Sequence, residues 1–97
     1  MISDEDFLRL FNACAVVAKT EANPPVPATS LEDRFADLNI DSLDGLILGM
    51  YICDAFKVPE EVGKTMKPAS VKEMMVFLAA NATVDSVDVD DFIESLK

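Results

Sequence analysis

The chain has 97 residues, 51% of them hydrophobic, and carries eight basic against eighteen acidic side chains for a net charge of −10. This length holds one domain with a modest core, and the apolar fraction is too high for a disordered tail. The charge speaks against nucleic acid or an anionic membrane surface as partner and favours proteins that present a basic patch.

Histidine is absent, which removes the commonest general base and metal ligand. Cys14 and Cys53 make no metal spacing. One disulfide is open to them, but the expectation is buried free thiols in a reducing cytoplasm. The first residues are acidic and show no secretory leader, and no apolar run is long enough to span a bilayer. The expectation is a cytoplasmic monomer, without membrane insertion.

Taken in order, Ser3 and Asp6 have capping-box spacing, and Phe7, Leu10 or Phe11, Cys14 and Val17 or Ala18 recur at helical intervals. A first helix is predicted from residue 3 or 4 to 19. Asn23-Pro24-Pro25-Val26-Pro27 stops it, because proline lacks the amide a helix needs. A long connection follows, with a helical turn expected over 30–35 and Leu31, Phe35 and Leu38 pinning it to the core.

The second helix is predicted over 42–56. Leu48, Ile52 and Phe56 form one apolar stripe, and Leu43, Leu46, Ile47, Met50 and Cys53 form another. Only Asp44 and Asp54 are charged, and a helix apolar nearly all round needs cover on more than one side. Gly45 and Gly49 each cost about 1 kcal/mol here relative to alanine, so a close neighbour or a cavity is expected beside them. Pro59-Glu60-Glu61 opens a short third helix over 59–66, with the proline in its first turn. Ser70 and Glu73 box the start of a fourth, reaching residue 80, with Val71, Met74 or Met75, and Leu78 on its core face. Residues 85–97 read as a further amphipathic segment with Phe92, Ile93 and Leu96 on one edge and Lys97 at its basic end; its acids lack the spacing and glycine of a calcium loop. This segment is expected to cover part of the second apolar stripe of the 42–56 helix.

At the start of that helix Ser42 stands between Asp41 and Leu43, with Asp44 next. Asp37-Leu38, then Asp41-Ser42-Leu43-Asp44, then an apolar helix closing on Phe56-Lys57-Val58-Pro59 resembles the acyl carrier protein family, across residues 7–78 and most sharply across 37–44. Within that family the serine of an Asp-Ser-Leu motif carries 4′-phosphopantetheine. The resemblance implies an all-α, small acyl-carrier-like four-helix bundle with a long first loop and a short third helix over residues 1–81. Residues 82–97 would be a C-terminal extension, helical and packed on the same domain.

The resemblance further implies a non-catalytic carrier that holds acyl intermediates as thioesters on Ser42, in fatty-acid, lipid or polyketide-type biosynthesis. A phosphopantetheinyl transferase would modify it, using coenzyme A and Mg2+ only during that step. Acyl-loading, elongating or transferring enzymes would be its other partners. Asp41, Leu43, Asp44, Leu46, Ile47, Met50 and Asp54 would form the surface that transferase and partners recognise. The chain's lining would come from Leu48, Ile52, Phe56 and Val62, with Met66, Val71, Met75 and Leu78 completing it. Ile47 and Cys53 stand where the family commonly has glutamates, which suggests dedicated partners. Two other readings stay open: a carrier of aminoacyl or other carboxylic substrates, and an unmodified helical adaptor.

Overall fold

The computed structural model describes residues 2–19 and 24–96; Met1, Asn23 of the proline stop and Lys97 lie outside them. Five helices make up the described chain: α1 Asp4–Ala18, α2 Ser42–Ala55, α3 Glu60–Gly63, α4 Val71–Asn81 and α5 Val89–Ser95. Among the described residues there is no strand, only a single bridge between Arg34 and Ser70. No described helix is long and apolar enough to cross a membrane.

α1 begins where Ser3 accepts the Asp6 amide, with Asp4, Glu5 and Asp6 at the positive end of the helix dipole. It lies along α2, and Phe7, Leu10, Phe11 and Cys14 are fully buried with Leu48, Ile52, Val71, Met74 and Leu78. Met74, and not Met75, is the α4 methionine in the core; Met75 packs against its edge. Ring pairs Phe7–Phe56 at 6.1 Å and Phe11–Phe35 at 5.5 Å tie α1 to the end of α2 and to the long loop. Cys14 and Cys53 are both free and buried, and loss of hydration pushes the Cys14 thiol up to about 12.

The loop before α2 is held by its own backbone as much as by packing. Asn12 of α1 clamps Ala28, accepting from its amide at 2.8 Å and donating to its carbonyl at 3.0 Å. A turn closes where the Asp33 amide donates to the Ser30 carbonyl, within the span expected over 30–35, and a further 3-10 turn follows at Phe35–Leu38, with Phe35 and Leu38 buried. The Phe35 amide donates to the Ala69 carbonyl and the Val71 amide to that of Asp33, which joins this loop to the start of α4.

α3 is one turn long, shorter than the span 59–66, and Pro59 is its N-cap residue instead of a first-turn residue. α5 packs on α1. Val89 is buried there, and Arg9 of α1 donates to both Asp6 and Asp90. The tail therefore does not cover the outer stripe of α2: its apolar edge and its acid found an apolar strip and an arginine on the other long helix.

Candidate functional site

Asp41 caps α2: its Oδ1 accepts the Asp44 amide at 2.8 Å, while Asp44 Oδ2 faces the Asp41 amide at 3.4 Å. The box fixes the helix start, so Ser42, its first residue, is exposed with a defined backbone. The amides of Ser42 and Leu43 have no intrahelical acceptor, and the dipole's positive end lies beside the Ser42 hydroxyl. An anionic group attached to that oxygen would sit in a favourable field.

Asp44 differs from its expected place on a recognised surface. Its residue is only 5% exposed, and its Oδ2 accepts from Lys19 Nζ at 2.8 Å. The ammonium also donates to the Asn39 carbonyl at 3.0 Å. The Lys19 hydrogen bond holds the Asp44 carboxyl below the usual carboxylate range, against the opposing effect of burial. Asp44 is thus an internal anchor joining the end of α1 to the start of α2. Sequence spacing carried no sign of Lys19, which lies 25 positions away.

The outer face of α2 is open. Leu43, Leu46 and Met50 are 61%, 59% and 68% exposed, Asp54 is exposed, and Ile47 is half-buried. Cys53, grouped with them by spacing, is instead buried against α3, where an added Cβ on Gly63 would come within 3.3 Å of its sulfur. Between α2 and α3 runs a groove of about 330 Å3, lined by Gly45, Leu46, Gly49, Met50, Cys53 and Met66 with Asp54, Glu60 and Lys64 among its polar residues.

Of the eight residues expected to line a chain-binding cavity, only Met66 lines this groove. Leu48, Ile52, Phe56, Val71 and Leu78 are buried in the core, and Val62 and Met75 pack at its edge. Close-packed side chains leave no void; the space lies where the glycines leave it. The unusual glycine content of the helix was the available signal.

Replacing the three glycines by alanine should rank them by the room each has. At Gly45 the new Cβ meets the Phe35 ring at 3.7 Å, an ordinary contact, so most of the roughly 1 kcal/mol helix-propensity gain should appear. At Gly49 it lies 3.0 Å from Met66 Cε, the mobile end of a flexible side chain, and the gain should be smaller. Gly63→Ala presses on a buried sulfur and should destabilise. Urea titrations of the three variants check the order.

The chain matches no family model, no curated protein and no solved structure.

Proposed function

We propose that this chain is a carrier protein that holds acyl intermediates as thioesters on a 4′-phosphopantetheine arm attached to Ser42. The observation that carries the reading is an exposed serine at the first position of a fixed helix, along which a largely apolar groove begins at Gly45. In the modification, the Ser42 hydroxyl oxygen forms a phosphodiester with the β-phosphate of coenzyme A. Adenosine 3′,5′-bisphosphate leaves, and the hydroxyl proton passes to the transferase, whose Mg2+ Asp41 helps to position.

The protein's own part is attachment, presentation and shelter; the reacting thiol belongs to the arm. The all-helical fold with its long first loop and short α3 supports an acyl-carrier-like arrangement. The groove's volume falls in the range of about 300–1,000 Å3 typical of small-molecule sites. Leu43, Leu46 and Met50, with Asp41 and Asp54, form the surface offered to the transferase and to loading or transferring enzymes.

A second reading, an adaptor that is never modified, is favoured by the same open stripe of Leu43, Leu46 and Met50. Intact mass after incubation with coenzyme A, Mg2+ and a promiscuous phosphopantetheinyl transferase separates the two. One phosphopantetheine should be gained, and none by Ser42→Ala. No gain on folded protein with any transferase, including the one from its own source, overturns the carrier reading and leaves the adaptor.

A further inference from the structure

A second and larger hollow, of about 660 Å3, adjoins the α2–α3 groove at Met66, the one residue that lines both. Its charged residues are Arg34, Lys67 and Lys72 with Glu32 and Glu73. Three of the chain's eight basic residues therefore gather at one basin of a molecule with net charge −10. None of the three is in an ion pair among the described residues. Glu73 is already engaged, accepting from the Ser70 hydroxyl at 3.1 Å. The basin thus sets three cations against two carboxylates, a local excess of positive charge on an acidic molecule, while the neighbouring groove is apolar along Leu46, Met50 and Cys53.

Met66 is suited to be a movable partition between them. Its Cε fits against Gly49, in space that any side chain there would contest, and an unbranched thioether changes rotamer at little cost. Gly49 lies seven residues, or about 10 Å, along α2 from Ser42, well within reach of a phosphopantetheine arm, so a chain carried on that arm and laid in the groove can meet Met66. Beyond that point a methyl end would meet charged side chains. A carboxylate would gain charge-assisted hydrogen bonds instead.

We propose that Met66 swings aside to join the groove to the basin, and that the cargo is an acyl chain with an anionic far end, a carboxylate, seated on Arg34, Lys67 and Lys72. This rests on the carrier reading of Ser42 and names the class of substrate it carries.

The test loads Ser42 enzymatically with pantetheine arms bearing, through an amide, either an octanoyl or a 7-carboxyheptanoyl chain, and intact mass verifies each attachment. The carboxyl-ended chain should raise Tm by about 4–8 °C more than the methyl-ended one, the scale of one added charged contact in a domain this small. It should also shift the amide resonances of Arg34, Lys67 and Lys72. The double variant Lys67→Gln/Lys72→Gln should lose that difference and keep the octanoyl effect.

Equal Tm shifts, or perturbations confined to Leu46, Met50 and Cys53 with both chains, overturn the proposal and leave the carrier reading standing. Absence of any attachment in the mass spectrum overturns both.

Discussion

Phe56→Ala should cost about 3–5 kcal/mol, the usual range for emptying a fully buried phenylalanine site. Phe56 is 1% exposed, ends α2, and packs its ring 6.1 Å from that of Phe7. Its carbonyl also accepts the Thr83 amide at 3.3 Å, so the site joins α1, the end of α2 and the segment leading to α5. A cavity there cannot close by moving one element, because three chain segments would have to shift together. A domain of this size has about 5–15 kcal/mol of stability in total, and each kcal/mol lost moves Tm by about 4–8 °C. The variant should therefore be close to unfolded at 37 °C.

Leu46→Ala, one stripe away on the same helix, is the comparison that gives the result its meaning. The exposed side chain leaves no cavity, so its stability should stay within about 0.5 kcal/mol of the parent. Chemical denaturation of both variants, with far-UV circular dichroism as readout, tests whether the two apolar stripes of α2 do different things. Equal losses would mean that the outer stripe is covered in solution.

Those two stripes also mark what could be read from the sequence. α1, α2 and α4, their N-caps and the inward set Leu48, Ile52 and Phe56 follow from periodicity and local capping, which act within a few residues. Docking partners do not. An apolar edge on residues 89–96 requires a surface to bury it, but α1 and α2 both offered one, and the segment packs on α1. The groove between α2 and α3 was not legible for a related reason. Large apolar residues at helical spacing signal a filled core, whereas an opening depends on absent side chains, here at Gly45 and Gly49, and on a pliable one at Met66.

Asp44 is the instructive case at the site itself. Acids in the first turn of a helix usually face water, where they serve the cap and the dipole. Here a lysine from the end of α1 covers it, and that arrangement yields the second strong expectation. Lys19→Met should destabilise the protein at neutral pH by about 3 kcal/mol, the low end for breaking a buried ion pair, since this pair lies close beneath the surface.

The pH dependence separates a broken pair from lost packing. In the parent, Asp44 has a folded-state pKa below its unfolded value. The folded protein therefore binds fewer protons at this group than the unfolded chain does. Its stabilisation is complete above the unfolded pKa of about 4 and disappears as pH falls through the folded value. In Lys19→Met the same carboxyl stays covered without its cation, so its pKa moves above the ordinary range. It takes up a proton on mild acidification, and the penalty of a buried charge disappears. The gap in unfolding free energy between parent and variant should thus be widest above about pH 6 and narrow steadily toward pH 4. Urea titrations of both proteins across that range measure the gap directly, and the shared repulsion among the other acids cancels in the difference. A gap that does not change with pH would show that Lys19 acts through its methylene stem, packed between α1 and α2, and that Asp44 does not depend on its charge.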